Sequence, residues 1–330
     1  MRGMTSRSVH PGPAIAALLI ICASPVAASY AGDRPLQMVF TESLRGNAQF
    51  TLGDGGYSGT LNPGDGYVTS FTRDLPQSAT VLFERVYVYW TWSRIDQAAS
   101  YPTMEARLGD AGGPVLEQAA RYADSKGFAS KNDYFSGMDS YLPIGPHGDR
   151  VTVMVSNTAD DGSTFIVQGA ALFTVYKDES APESAIWVAE GADLLYRSYG
   201  IPPELATTRV DFPGRIDLPR VKSARLLLVA PSAGFAREEI PEMNQILLNT
   251  PGSGTLPPLV EPVLRVLFPH YRGKTWTDVF SADESRQIGI ASREIRPFLR
   301  YSDNFIEVRD NGDYFQLCNA VLRVEYGEEK

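Results

Sequence analysis

The chain has 330 residues and a formal net charge of −9, from 39 acidic and 30 basic side chains. A surface this acidic argues against nucleic acid and anionic lipid as partners, because both carry negative charge. The length is enough for one or two hydrophobic cores.

The N-terminal segment has the three-part layout of a secretory signal. Arg2 and Arg7 give a basic start, a short apolar core follows, and small residues precede two possible cleavage points, after Ala28 or Ala31. A membrane-spanning helix needs about 20 apolar residues, and this run is shorter. We therefore expect a signal peptide over residues 1–28, a secreted location (extracellular, periplasmic or cell surface) and no transmembrane segment after signal removal.

Cysteine usage restricts how the fold is held together. Cys22 lies in the signal, so the mature chain keeps only Cys318 and forms no intrachain disulfide. Cys318 stands in an apolar strand pattern, which predicts a buried thiol of low reactivity.

The sequence repeats one order of blocks. The stretch Ser70–Trp92 resembles Arg209–Ala230, because in each a Leu-Pro step is followed by an arginine that opens an apolar strand. The stretch Asp149–Glu179 resembles Asp303–Glu329, since each runs strand, Asn/Asp/Gly turn, strand and acidic end. This repetition predicts an internal duplication.

Alternation of period two predicts strands throughout. In "VYVYWTWS", residues 86–93, apolar and aromatic side chains alternate as a strand requires. Turns rich in Asn, Asp and Gly are frequent, and the best helical pattern, at residues 259–268, is interrupted by Pro262. The sequence predicts an all-β fold of two tandem jelly-roll-like β-sandwiches related by internal duplication, over residues 36–180 and 183–330.

A connector between the halves is expected at "KDESAPESA", residues 177–185. Its charges and Pro182 predict an exposed segment with Asp178, Glu179 and Glu183 in solvent, because burial would leave charges unpaired. Trp187 just beyond is expected to be buried.

Four stretches resemble a known family: residues 84–92, 169–195, 207–229 and 299–326. They are similar to the domain-of-unknown-function family three-three-four-four, secreted proteins best known from methanogenic archaea and also found in bacteria. The resemblance covers almost the whole mature chain. It implies a cell-surface or extracellular protein, and it carries over no catalytic residue.

Motifs for catalysis are weak. His147 and His270 lie in Pro/Gly loops, and two distant histidines supply neither a triad nor a zinc site. A glycosidase needs two acids facing each other. Glu190 and Asp193 are three residues apart, so a regular strand would point them to opposite faces. We expect no enzyme; the alternative is a polysaccharide-active hydrolase or lyase that uses Asp or Glu on a jelly-roll scaffold.

Calcium is the only cofactor that the pattern suggests. The turns around Asp160 and Asp161 and around Asp310 and Asp313 cluster oxygen donors, which Ca²⁺ prefers. The same residues are what tight turns require without metal, so structural hairpin turns are the competing interpretation.

Aromatic side chains are the candidate ligand-binding residues. Exposed rings stack on sugar rings, whereas buried rings fill cores. The candidates are Trp92, Tyr87, Tyr89 and Tyr134, and core positions are expected for Trp90 and Trp187. Together these features predict a secreted, non-enzymatic binding or structural and adhesive envelope protein, with an extracellular glycan or envelope protein as partner.

Overall fold

The computed structural model describes residues 35–95, 98–124, 126, 135–143, 148–197, 206–234, 244–250, 260–268, 271–282 and 285–328, without the side chains of residues 261, 262 and 265. The expected signal peptide, Tyr134, His147 and His270 lie outside these residues.

The described residues of the first half form ten strands. In chain order they are β1 (Gln37–Leu52), β2 (Thr60–Leu61), β3 (Gly66–Thr72), β4 (Thr80–Ile95), β5 (Ala98–Ala99), β6 (Met104–Leu108), β7 (Glu117–Asp124), β8 (Ser136–Leu142), β9 (Arg150–Asn157) and β10 (Thr164–Lys177).

The described residues of the second half form nine strands and a short α-helix. In chain order they are β11 (Glu183–Leu195), β12 (Thr207–Arg215), β13 (Val221–Pro231), β14 (Asn244–Leu248), α1 (Val260–Leu267), β15 (Lys274–Thr277), β16 (Ser281–Ala282), β17 (Ile288–Glu294), β18 (Ser302–Asp310) and β19 (Phe315–Tyr326). Helix α1 contains Pro262 in its first turn, where proline is tolerated.

Antiparallel sheets dominate the fold, as the strand pattern predicts. One twelve-stranded sheet has the order β16-β17-β13-β19-β11-β1-β10-β4-β8-β7, with β2 paired to β10 and β5 paired to β4. Two smaller sheets, β3-β9-β6 and β12-β18-β14-β15, belong to the first and second halves. The molecule is therefore a β-sandwich with one large sheet common to both halves.

The two halves join through their first strands. Strand β1 pairs with β11 along its N-terminal part, from Gln37 opposite Glu190 to Arg45 opposite Glu183. The two halves therefore share one continuous sheet through this pair of strands. The order β1-β10-β4-β8 on one side of this seam has the counterpart β11-β19-β13-β17 on the other. The duplication itself stays a prediction.

Each small sheet covers one half of the large sheet's first face. In the first half, Val88 and Trp90 of β4 pack with Phe71 of β3 and Val153 of β9. In the second half, Trp187 belongs to a core of the same kind with residues of β12, β13, β14 and β18. The strands of the large sheet therefore carry apolar side chains on the face that these two cores cover.

The second face of the large sheet forms a third apolar cluster, which contains residues of both halves. Tyr87 and Tyr89 of β4 lie in it together with Cys318 and Val321 of β19. Strands β4 and β19 stand four positions apart, which would separate them by about 19 Å in a flat sheet. The sheet therefore curves until its two halves touch, and it buries this face as well.

The turns after Asn157 and Asp310 connect two different sheets and are not hairpin turns. The turn after Asn157 connects β9 in a small sheet to β10 in the large sheet, and the turn after Asp310 does the same between β18 and β19. The hairpin prediction is wrong at both places, because each turn carries the chain from one layer of the sandwich to the other. Among the residues described above, no helix is long and apolar enough to cross a membrane.

Candidate functional site

A buried polar layer lies where the halves touch, and Glu190 of β11 is at its centre. The Tyr87 hydroxyl donates a 2.8 Å hydrogen bond to Glu190 Oε1, and the Tyr122 hydroxyl donates one of 3.3 Å to Oε2. Arg85 Nε lies 3.8 Å from Oε1. Burial raises the pKa of Glu190, although the hydroxyl donors and Arg85 act in the opposite direction.

Burial and the charge of Glu190 raise the pKa of both tyrosine hydroxyl groups. Burial, and then the nearby negative charge of Glu190, raise the pKa of Tyr122 to about 12. The same two causes raise the pKa of Tyr87 well above its ordinary value. Both phenols donate hydrogen bonds to Glu190.

A buried ion triad lies beside Glu190. Lys126 Nζ is 2.6 Å from Asp124 Oδ2 and 2.5 Å from Asp193 Oδ1, and all three side chains are at most 2% exposed. Burial acts against the charged form of Lys126, but the two carboxylates outweigh it and raise the pKa of the ammonium group. Burial raises the pKa of Asp124, although Lys126 acts in the opposite direction. The triad joins β7 of the first half to β11 of the second.

A β-bulge brings Glu190 and Asp193 to the same side of their strand. Opposite β19, Glu190 faces Asn319 and Asp193 faces Leu317, so β11 has one extra residue in this interval. Because a bulge of one residue reverses the alternation of side chains, both acids point toward the first half. The expectation that they lie on opposite faces is wrong for this reason.

The polar layer is closed to large substrates. A glycosidase needs its two acids at a cleft that admits the sugar. All three acids, Asp124, Asp193 and Glu190, are buried. Lys126 forms ion pairs with the two aspartates, and Tyr87 donates a hydrogen bond to Glu190. The arrangement therefore joins the two halves through buried polar contacts.

Two exposed aromatic residues, Trp92 and Tyr101, both contact Phe135, Trp92 through its backbone and Tyr101 through its ring, and we call their surroundings the aromatic patch. We define it by Trp92, which is 47% exposed, Tyr101, which is 50% exposed, and Arg121. Trp92 has a φ of +51°, a strained conformation for a large side chain, and its N–H donates a 3.1 Å hydrogen bond to the Phe135 carbonyl. The register of β4 against β10 shifts between Thr91 and Arg94, so a β-bulge accounts for this conformation.

The other members of the patch are held in place by buried neighbours. The Tyr101 ring packs edge-on against Phe135, with centroids 5.2 Å apart, and the Arg121 guanidinium lies 5.9 Å from the Tyr101 centroid. Asp139, which is fully buried, accepts hydrogen bonds from both Nε and Nη2 of Arg121. The patch thus has a rigid support.

Two of the predicted ligand-binding tyrosines are not at the surface. Tyr87 and Tyr89 are fully buried, and their hydroxyls bond to Glu190 and Asn319. They cannot stack on an exposed sugar, because the large sheet curves over the face that carries them. Trp92 is exposed, Trp90 and Trp187 are buried as expected, and Tyr134 lies outside the described residues.

The predicted calcium ligands act as turn acceptors. Asp160 and Asp161 are exposed, and Asp161 Oδ1 accepts a 2.9 Å hydrogen bond from the Ser163 N–H. Asp310 Oδ1 accepts from the N–H groups of Gly312 and Asp313. In the described parts of the chain, no three or more His, Cys, Asp or Glu side chains group as metal ligands. This geometry matches the interpretation as structural turns.

Asp313 has an unusual environment for a turn residue. Its Oδ2 accepts hydrogen bonds from the Gly234 N–H at 3.1 Å and from Asn244 Nδ2 at 2.8 Å. Burial raises the pKa of Asp313 to about 6, although these donors lower it. The carboxyl group therefore ties the turn to β14 and to the end of β13.

The connector differs in part from its prediction. Glu179 is exposed, but Asp178 is 5% exposed and its Oδ1 accepts hydrogen bonds from Ser180 N and from the Ser78 hydroxyl. Glu183 is half-buried and pairs with Arg220 at 2.6 Å, because β11 already begins there. The expectation of solvent is wrong for Asp178, since that side chain caps the turn.

Two buried side chains agree with their predictions. Trp187 Nε1 donates a 2.7 Å hydrogen bond to the Pro213 carbonyl inside the core of the second half. Cys318 is fully buried, and burial raises the pKa of its thiol well above the ordinary value.

Sequence reasoning missed Tyr101, Lys126 and Asp124 as members of these sites. The triad has no local motif, because Asp124 ends β7, Lys126 is the second residue after that strand, and Asp193 lies far along the chain in β11. Tyr101 follows a polar stretch, and only the fold shows that Phe135 and Arg121 support it.

The sheets and buried layer define an antiparallel β-sandwich protein with one large sheet common to both halves. The chain belongs to the family described as "Protein of unknown function (DUF3344)", whose model matches residues 29–325. This match confirms the resemblance found in the sequence. A comparison with curated proteins finds no match.

Two solved structures are weakly similar. The major capsid protein P2 from Bacteriophage PM2 has 11% identity, a TM-score of 0.21, and coverage of 86% of this chain and 99% of that chain. The N-terminal CBM22-1-CBM22-2 tandem domain from Paenibacillus barcinonensis Xyn10C has 8% identity, a TM-score of 0.19, and coverage of 91% and 100%. At these scores neither likeness carries an argument about fold or function.

Proposed function

We propose that this protein is a secreted, non-enzymatic component of the cell envelope that binds extracellular carbohydrate through the aromatic patch. The observation that carries the proposal is the exposed Trp92 ring, which follows the buried run of β4 from Val86 to Thr91 and has a positive φ. An exposed indole offers an apolar face to a sugar ring.

The neighbours of Trp92 suit the same ligand. Tyr101 adds a second exposed ring, and Arg121 adds hydrogen-bond donors at the rim of the patch. Carbohydrate sites combine apolar ring faces with a few fixed polar groups. Since Asp139 and Phe135 fix these side chains, binding requires little ordering of the surface.

The absence of a catalytic role is part of the proposal. One set of acids in the described residues, Asp124, Asp193 and Glu190, is buried in the contact between the halves, where Lys126 and Tyr87 pair with it. The acidic sequence and the N-terminal signal pattern support an extracellular location.

A glycan array tests the proposal. The mature chain, from residue 29, is applied with calcium and with a chelator, and the strongest bound glycans are then incubated with the protein and analysed for shortened products. We expect selective binding, equal in both conditions, with the glycans intact. Shortened products would show an enzyme, and an array without any bound glycan would overturn the carbohydrate proposal.

A further inference from the structure

The buried ion triad holds an amine against a carboxyl group inside the protein. Lys126 Nζ lies 2.5 Å from Asp193 Oδ1 and 2.6 Å from Asp124 Oδ2. Because Cγ of Asp193 is bonded to that oxygen, Nζ is at most about 4 Å from Cγ, close to the separation from which well-held reactants combine. The three side chains are at most 2% exposed, so they are shielded from bulk water.

Burial changes the balance between the charged and the neutral forms of this pair. Each ion loses its hydration in the interior, which costs free energy. Transfer of one proton from Lys126 to Asp193 removes both charges and gives an amine and a carboxylic acid. The two carboxylates still raise the pKa of the ammonium group against the effect of burial. The neutral pair is therefore a minor state, and a reaction that starts from it is slow.

The two aspartates are suited to different steps of such a reaction. Asp124 Oδ1 accepts a 2.8 Å hydrogen bond from the Lys126 backbone N–H, and its Oδ2 accepts one of 2.9 Å from the Leu194 N–H. These donors favour the ionised carboxylate of Asp124, which can accept a proton. A bond from Lys126 to Asp124 would also close a small ring, since the two are neighbours but one in the chain. Asp193 is 67 positions from Lys126 and has no such restriction.

We propose that Lys126 and Asp193 form an intramolecular amide (isopeptide) bond in the folded protein. The neutral Nζ attacks Cγ of Asp193 and forms the C–N bond. Asp124 takes a proton from this nitrogen and gives it to the departing hydroxyl oxygen. The C–O bond then breaks, one water molecule leaves, and Asp124 is again a carboxylate. The condensation needs no oxidant, reductant or cofactor.

The amide bond would fasten the two halves of the molecule to each other. Lys126 follows β7 of the first half, and Asp193 lies in β11 of the second. The described residues contain one cysteine, Cys318, and therefore no disulfide that could do the same. A covalent link of this kind restricts the unfolded chain. This inference is independent of carbohydrate binding at Trp92.

Intact-mass spectrometry of the mature chain, from residue 29, tests the proposal. Freshly purified protein should mainly hold the unreacted ion triad, because the neutral pair is rare, and this protein is the reference state for the stability of the triad. The protein is then stored at neutral pH for about two weeks, a time long compared with folding. A species lighter by the mass of one water molecule should accumulate.

Peptide mapping of the denatured, lighter species locates the bond. Trypsin cleaves after an unmodified lysine, but an acylated lysine has lost its charge and is not cleaved. The digest should contain a branched peptide in which residues 122–131 are joined to residues 178–197. Lys177 and Glu179 are an internal control, since they lie 2.8 Å apart but are exposed to water. Trypsin should cleave after Lys177.

Variants assign the roles within the triad. Asp193→Ala and Lys126→Arg should keep the full mass during storage, because each lacks one reacting group, and Lys126→Arg retains a cation. Asp124→Ala should slow the accumulation of the lighter species by about a hundredfold, the usual effect of losing a general base. Glu179→Ala should leave it unchanged. Far-UV circular dichroism checks folding, and the wild-type peptide map decides the proposal if a variant does not fold.

Three results would overturn the proposal. The first is a wild-type mass that equals the mass of the sequence throughout storage, with normal cleavage after Lys126, which shows a permanent ion triad. The second is a loss of water that also occurs in Lys126→Arg, which places the reaction elsewhere in the chain. The third is a branched peptide that contains Cys318 in place of Lys126, which makes the thiol the nucleophile.

Discussion

The Tyr89 hydroxyl donates a 2.7 Å hydrogen bond to Asn319 Oδ1, although the two residues are 230 positions apart in the chain. Tyr89 belongs to β4 of the first half and Asn319 to β19 of the second. Both side chains are buried. The bond therefore exists only when the large sheet has curved and its two halves have met.

Cooperative unfolding of the halves follows from this contact. Because β1 pairs with β11 and the polar layer is buried between the halves, neither half can unfold without exposing part of the other. We expect one transition in scanning calorimetry of the mature protein, with equal calorimetric and van't Hoff enthalpies. Two resolved transitions would show that the halves are independent domains.

Trp187→Ala should destabilise the protein by about 3–5 kcal/mol, because it removes a large aromatic side chain from a core. The Trp187 indole is buried and its Nε1 bonds to the Pro213 carbonyl. Urea unfolding measures the loss. Glu179→Ala, at an exposed connector position, is the matched control and should unfold at nearly the wild-type urea concentration. A small loss at Trp187 would contradict its core position.

Lys126→Met should be strongly destabilising, by about 3–5 kcal/mol, because it leaves Asp124 and Asp193 buried without their cation. Lys222→Met is the control, since Lys222 is exposed and its pair with Glu325 contributes less than about 1 kcal/mol. Combining Lys126→Met with Asp124→Asn and Asp193→Asn should recover more than half of the loss. The losses in free energy of unfolding are measured with urea, and equal losses for Lys126→Met and Lys222→Met would refute a buried triad.

Asp313→Asn should remove a pH dependence of stability. The folded-state pKa of Asp313 is about 6, above the ordinary value of 3.8. Between these values the folded state holds a proton that the unfolded state has lost, so this carboxyl group decreases stability as the pH rises from about 4 to about 6. The variant keeps a hydrogen-bond acceptor and has no charge. Urea unfolding should show that the free energy of unfolding of the variant, relative to the wild type, increases from about pH 4 to about pH 6 and is constant above about pH 7. A difference in free energy that does not depend on pH would contradict the raised pKa.

Much of the fold could be predicted from the sequence, because strand alternation and turn composition are local signals. Trp90 and Trp187 were expected in cores, and both are there. The sharing of one sheet was not predictable, since nothing in the sequence around β1 and β11 shows that their edges pair. The curvature that buries Tyr87 and Tyr89 is a property of the whole sheet, so an aromatic strand pattern could not show it.

The site was less predictable for a related reason. A bulge of one residue in β11 decides where Asp193 points, and it depends on the pairing with β19. Asp178 and Asp310 carry residue types that suit a solvent-exposed or metal-bound position, yet each caps a turn. Only Trp92 among the proposed ligand residues could be placed at the surface from its position near the polar end of β4.

Isothermal titration calorimetry with the strongest glycan from the array tests carbohydrate binding at Trp92 most directly. The dissociation constants of the wild type, Trp92→Ala and Tyr301→Ala are compared, since Tyr301 is an equally exposed ring in the second half. We predict that Trp92→Ala raises the dissociation constant by about tenfold, the effect of losing one stacked ring, and that Tyr301→Ala leaves it unchanged. An unchanged dissociation constant for Trp92→Ala would contradict the account.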